Sequence, residues 1–245
     1  MAKATKTRKA STKTAACGEK ERRLAEFEKA RDKGRRGLAW KHLVKSGVLM
    51  LTGFRGEGKT ALGWWMADTF RKLKGYPSKV AVFDLPPAGV KALPSWARTN
   101  LTTVSEVSAL DKPHIVVVDE AAFSANARRA MSEENVNWMK LFAVARHKGH
   151  LLIFISQSSR QVDIQLIDQA DWILMKKPSM LQVLLSRDVL KTKLEDAFLA
   201  INPKRNSKEW VYVYDAKSDA GKLLSASMPK WWTDKVSKAY ATVSI

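Results

Sequence analysis

The sequence predicts an α/β fold: a mainly parallel sheet with helices on both faces, closed at its C-terminal end by an antiparallel hairpin and a helix. Three observations carry this. Short, almost continuously apolar runs alternate with stretches of helical period: Val48 to Leu51, Lys79 to Phe83, His114 to Glu120 (apolar until its two carboxylates), Leu151 to Ser156 and Trp172 to Met175. Strands that are apolar throughout are buried on both faces, which is the condition of a parallel sheet between helix layers. The first run opens into Gly53-Phe54-Arg55-Gly56-Glu57-Gly58-Lys59-Thr60, a G-x-x-x-x-G-K-[ST] phosphate-binding loop in its strand–loop–helix setting. Towards the end, Trp210 to Tyr214 and Lys222 to Ser227 flank a turn at Ser218 to Gly221, the pattern of an antiparallel pair.

The loop dictates its own chemistry. Glycines let backbone N–H groups turn inward around an anion, and the helix that follows adds its positive N-terminal end. Gly53, Gly56, Glu57, Gly58, Lys59, Thr60 and Ala61 form the candidate nucleotide-binding set, with Lys59 reaching the β- and γ-phosphates and Thr60 offering its hydroxyl to Mg²⁺. The same stretch contains Gly56-x-Gly58-x-x-Ala61, close to a dinucleotide fingerprint, and Asp84 ends the next strand where a ribose-binding acid would lie. Lys59-Thr60 argues for the triphosphate, because a dinucleotide loop has no use for a lysine aimed at a γ-phosphate.

With 245 residues, 45% of them hydrophobic, the chain can bury one substantial core. We therefore expect a single domain over residues 41–245, preceded by an arm over 1–40. The 43 basic residues outnumber 24 acidic ones, and a formal charge of +19 points to a polyanionic partner, nucleic acid before membrane. Residues 1–36 hold 13 basic and 5 acidic residues, +8 of the total: a basic tail, then a charged helix around Leu24 and Phe27. The arm reads as a nucleic-acid contact or a solvated tail. No apolar run approaches membrane-spanning length and no signal peptide is visible, so a soluble, intracellular protein without stable membrane insertion is expected. Cys17 is the only cysteine, which rules out a disulfide framework or a cysteine-based metal site.

In chain order, the helix after the loop is expected to bury Leu62, Trp65, Met66, Thr69 and Leu73 and to stop at Gly75-Tyr76-Pro77. A Pro-rich connection runs from Pro86 to Pro94, and a short element follows at Val104 to Leu110. A helix from about Glu133 to Lys148 turns Val136, Met139, Phe142 and Ala143 inward and stops at Gly149. Further helices are expected from about Leu184 to Ala200 and from about Trp231 to Thr242, with the C-terminal aromatic residues serving as core.

Asp119-Glu120 closes an apolar strand about 60 residues after the loop, the form of a Walker B element: the aspartate holds Mg²⁺ through water and the glutamate activates the attacking water. A glutamate there favours hydrolysis over transfer to a metabolite, since hydrolysis needs a base for water. A strand beside the loop strand would bring both carboxylates to its carboxyl end. Gln157, where the strand from Leu151 emerges, can sense the γ-phosphate or orient water.

The combination GFRGEGKT, VAVFDLPP, HIVVVDEA, ARHKGHLLIFISQSSRQ and DQADWILMKK resembles the FtsK and HerA superfamily of DNA-pumping ATPases over about residues 46 to 177. Within it the chain is most similar to the genome-packaging ATPases of tailless icosahedral viruses with an internal membrane. The resemblance implies a RecA-like core, ATP and Mg²⁺ as cofactors, a homo-oligomeric ring, usually a hexamer, and double-stranded DNA moved through it. It further implies work at a capsid vertex or portal in the host cytoplasm or virion. It assigns Lys59 and Thr60 to nucleotide and Mg²⁺, Asp119 and Glu120 to Mg²⁺ and water, and Gln157 to sensing. Arg146, or Arg160 in its place, becomes the arginine that faces a neighbour's γ-phosphate. The alternatives are a Zot-like phage-assembly ATPase and an ATP-switched DNA-binding or partitioning protein.

Overall fold

The computed structural model describes residues 39–43, 46–73, 76, 79–83, 85, 87–119, 131–156, 167–186 and 188–241. The arm over 1–38, with Cys17, and the single residues Asp84, Glu120, Gln157 and Arg160 lie outside them. Among the described residues, β1 (Gly47–Thr52), β2 (Ala81–Phe83), β3 (Thr99–Leu101), β4 (Ile115–Asp119), β5 (Leu151–Ile155), β6 (Trp172–Met175), β7 (Trp210–Asp215) and β8 (Ala220–Ser225) form one sheet in the order β3-β2-β4-β5-β1-β6-β7-β8. All pairings from β3 to β6 are parallel; β7 and β8 add an antiparallel hairpin to the β6 edge.

Two helix layers cover the sheet. Among the described residues the α-helices are α1 (Trp40–Leu43), α2 (Lys59–Leu73), α3 (Pro87–Ala92), α4 (Val104–Ser108), α5 (Met131–His147), α6 (Met180–Leu184), α7 (Asp188–Ile201) and α8 (Asp234–Ala241). On one face Leu49, Leu51, Val117, Ile153 and Ile155 pack with Leu62, Trp64 and Phe70 of α2 and Val236 of α8. On the other, Val48, Met50, Val118, Leu152 and Phe154 pack with Trp138, Leu141 and Phe142 of α5 and Leu194 and Ile201 of α7. Alternate residues of each strand thus serve opposite cores, which is why the strands read as unbroken apolar runs.

The structure corrects several expectations. The Walker-type strand β4 is not beside β1: β5 lies between them, pairing with both. In α2, Trp64 and Phe70 are fully buried while Leu73 is 57% exposed, so the inward face is rotated from the expected one. Trp64 takes the core position because its ring meets Trp96 and Trp231 edge-on at 6.0 and 5.9 Å. In α5, Trp138, Leu141 and Ala145 face inward in place of Met139 and Ala143, anchored by Trp138 packing 4.9 Å from the ring of Phe154. The helix expected from Leu184 begins at Asp188, and α6 before it is a separate turn started by a capping box between Ser179 and Gln182. The Pro-rich connection contains α3, and β3 extends the sheet beyond it. Gly149, at φ 72°, ends α5 as expected. Trp231 and Trp232 pack onto the core, again as expected. Among the described residues no helix is long and apolar enough to cross a membrane.

Candidate active site

The phosphate loop leaves the carboxyl end of β1, the one strand bonded to both β5 and β6. Its first glycine is required twice over. Gly53 has φ 143°, and a Cβ there would stand 2.8 Å from both the Cβ and the carbonyl oxygen of Lys176. Backbone bonds tie the stem to its flanks: Ser156 N donates to Leu51 O (2.8 Å), Lys176 N to Thr52 O (2.9 Å) and Phe54 N to Lys177 O (3.2 Å). Gly56 and Gly58 also have positive φ, 83° and 79°, and Leu62 N closes the first turn of α2 onto Gly58 O at 3.0 Å.

Lys59, the first residue of α2, is 6% exposed and curls back over the loop, where Nζ donates to Gly53 O (3.0 Å) and Phe54 O (3.1 Å). Its charge is thereby held against the first two carbonyls of the loop. Thr60 Oγ1 donates to Asp119 Oδ2 at 2.9 Å, and Asp119 is 5% exposed. This contact answers how β4 reaches the loop across an intervening strand. Helix α2 crosses the sheet above β5 towards β4, and Gly63 lets it come close: a Cβ there would be 2.7 Å from Ile155 Cδ1.

The pair Thr60–Asp119 also fits a small hard cation. Adjacent oxygens of an octahedral Mg²⁺ shell, at about 2.0–2.1 Å from the metal, are about 2.9 Å apart, and the two side-chain oxygens stand at that spacing. Thr60 and Asp119 are the residues that would hold such an ion beside the loop.

On the β6 side the sequence reading missed a feature. Lys176, 1% exposed, follows β6 against Gly53 of the loop and donates from Nζ to Lys208 O (2.6 Å) and Trp210 O (2.8 Å). Burial, opposed by Glu57 and reinforced by Lys208, holds its ammonium down to about 8. Glu57, expected only as part of the nucleotide set, accepts a bond from Ser207 Oγ at 3.0 Å. The loop is thus fastened to the connection between α7 and β7. The only sequence signal was a lysine immediately after an apolar strand, indistinguishable from a strand-end solubilising residue.

Gly53, Gly56, Glu57, Gly58, Lys59, Thr60, Ala61 and Asp119 are therefore brought together. Glu120 and Gln157 follow the ends of β4 and β5 in sequence and lie outside the described residues. Arg146 is elsewhere. It precedes β5, at the amino edge of the sheet, and bonds through Nη1 to Gln169 Oε1 (2.7 Å) and through Nη2 to Gln169 O; Asp171 Oδ2 is 3.4 Å away. Asp171 in turn accepts from Val48 N at 2.9 Å, so this cluster braces the start of β1, opposite the phosphate loop.

Neither a protein-family model nor a curated protein matches the chain. Solved structures do. The genome packaging NTPase B204 from Sulfolobus turreted icosahedral virus 2 in complex with sulfate superposes with a TM-score of 0.52 at 13% identity, over 75% of this chain and 98% of that one. The same NTPase in complex with AMPPCP gives 0.50 at 14% identity, over 75% and 99%. At these identities the likeness is one of fold, and it falls on a viral packaging NTPase, the group that the sequence motifs resemble.

Proposed function

We propose that the chain is an ATP-hydrolysing motor that moves double-stranded DNA, working as a ring of copies at the capsid vertex to load a viral genome in the host cytoplasm. The observation that carries the enzymatic part is the Lys59–Thr60–Asp119 constellation at the carboxyl end of the sheet, with Thr60 and Asp119 at the spacing of adjacent Mg²⁺ ligands. The DNA part is supported by the charge of +19 and by the shared fold with a packaging NTPase.

In this reading the loop amides and Lys59 take the β- and γ-phosphates, and Lys59 exchanges the carbonyls of Gly53 and Phe54 for phosphate oxygens. Thr60 and Asp119 are the residues that would hold Mg²⁺, which when bound would supply positive charge beside those oxygens. Glu120 accepts a proton from water as the water oxygen bonds to the γ-phosphorus. The bond from that phosphorus to the bridging oxygen breaks, and ADP and phosphate leave. Gln157 orients the water. Arg146 lies at the far edge from its own loop, so its proposed contact is with the γ-phosphate of a neighbouring copy, after release from Gln169 and Asp171.

The test is phosphate release from ATP and Mg²⁺ with and without long linear duplex DNA. Turnover that rises with duplex and disappears in Lys59→Ala is expected. DNA binding without stimulation would make the chain a nucleotide switch instead, and no ATP turnover in either condition would refute the enzymatic reading.

A further inference from the structure

The connection Asn202 to Glu209 enters β7 at the carboxyl edge of the sheet, beside the phosphate loop, since β7 runs antiparallel to β6 with Tyr212 opposite Met175. Two contacts fix it there: Ser207 Oγ to Glu57, and the buried Lys176 ammonium to the carbonyls of Lys208 and Trp210. Its outward side chains include two cations, Arg205 and Lys208, against one carboxylate, Glu209. Arg205 and Lys208 are exposed, and Lys204 lies with its ammonium 4.6 Å over the Trp210 ring. Arg55, exposed on the loop itself, and Lys177, whose carbonyl takes the Phe54 N–H, continue the same surface. Among the described residues, Arg55, Lys177, Arg205 and Lys208 make no ion pair. The nearby carboxylates are engaged, Glu57 with Ser207 and Glu209 with Asn206 Nδ2 at 2.8 Å.

A solvated lysine loop has no reason to be clamped. Burying an ammonium costs free energy, and here one is buried under the connection so that its carbonyls are held in place. We infer that the 204–208 connection, with Arg55 and Lys177, is a docking surface for the phosphate backbone of duplex DNA, and that Ser207–Glu57 is the contact through which its occupancy reaches the phosphate loop. The surface is built of spaced cations on a fixed backbone, which suits a row of phosphates read without regard to sequence. Trp210, where the connection enters β7, is covered by Lys204, and Phe54, beside Arg55, is a single exposed ring and not a row on which successive bases stack. The inference rests on the proposed function and adds where the DNA touches and how contact is passed to the chemistry.

The experiment uses the full chain, a fluorescent duplex and a salt series, with Arg205→Ala/Lys208→Ala as the variant. Both side chains are exposed, so the fold is retained. Removing one cation from a phosphate lowers the slope of log affinity against log salt by about 0.9, so the double variant should show a slope smaller by about 1.8. DNA-stimulated turnover should fall, while basal turnover and the KM for ATP stay within about twofold. Ser207→Ala should keep the wild-type slope and abolish stimulation. A double variant with the wild-type slope overturns the inference alone, as does one whose KM for ATP rises while its slope is unchanged, which would assign the connection to the nucleotide. A wild type with no salt-dependent duplex binding overturns the proposed function and this inference with it.

Discussion

Replacing Lys176 by Met tests the clamp under the phosphate loop through its own ionisation. In the folded chain the ammonium is held down to about 8, against an ordinary value of 10.5, chiefly by burial. Since the folded value lies below the unfolded one, the folded protein loses this proton first as pH rises. Between the two values the unfolded chain binds more protons, and stability increases with pH. From pH 7 to 9.5 this group alone should add about 2 kcal/mol, because each decade of separation is worth about 1.4 kcal/mol. Other groups titrate too. Tyr214, whose pKa burial and the Asp219 bond raise, works in the opposite direction, but only above about pH 10, and the variant shares it. The measured quantity is therefore the change in urea-unfolding free energy from pH 7 to 9.5, wild type minus Lys176→Met, at constant ionic strength. At pH 7 the two chains should be nearly matched. The variant is relieved of about 3 kcal/mol of charge burial but leaves the carbonyls of Lys208 and Trp210 without their donor, at about 1–3 kcal/mol each. A wild type that gains no more than the variant, within about 0.5 kcal/mol, would refute the buried charged clamp.

The loop glycines should separate by surroundings: Gly56→Ala meets nothing within 4 Å and pays mainly for positive φ, about 1 kcal/mol, whereas Gly53→Ala also collides with Lys176 backbone and should cost about 3 kcal/mol; equal unfolding midpoints would contradict the packing described. Glu120→Gln keeps shape and removes the base, so ATP should remain bound, with turnover reduced at least about a hundredfold; near-normal turnover in a steady-state assay would move the base to another residue. Arg146→Ala should change stability by less than about 1 kcal/mol, since its ion pair is exposed, and mixing it with Lys59→Ala should restore part of the ATPase activity that each lacks alone. No recovery in mixed rings confirmed to have formed, or full activity of Arg146→Ala by itself, would count against a role in trans.

The parallel sheet was legible because burial on both faces forces each strand to be apolar throughout, and five runs stated this independently. What the sequence concealed depended on partners distant along the chain. β3 is three residues, Thr-Asn-Leu, with too little apolar content to register, and it pairs only because β2 offers a free edge. The phase of α2 turned on Trp64 finding Trp96 and Trp231, far apart in sequence and adjacent only after folding. A helical period fixes which residues share a face but not which of two apolar faces looks inward when both carry tryptophan.

The site divides along the same line. Lys59, Thr60 and Asp119 were readable because phosphate chemistry restricts which residues can stand at those spacings, and the intervening β5 did not disturb them: Gly63 lets α2 lie close on β5, which carries Thr60 to β4. The other side of the loop obeys no such code. Lys176, Ser207 and Glu57 are single residues of common type whose contact arises only because β7 runs antiparallel to β6 and returns the chain to the carboxyl edge. The phosphate loop is therefore held between two unlike supports, a carboxylate strand on one flank that chemistry dictates and a clamped basic connection on the other that topology alone supplies. A change that leaves Lys59, Thr60 and Asp119 intact but loosens Lys176 or Ser207 should consequently spare nucleotide binding and impair whatever the hairpin side transmits to it.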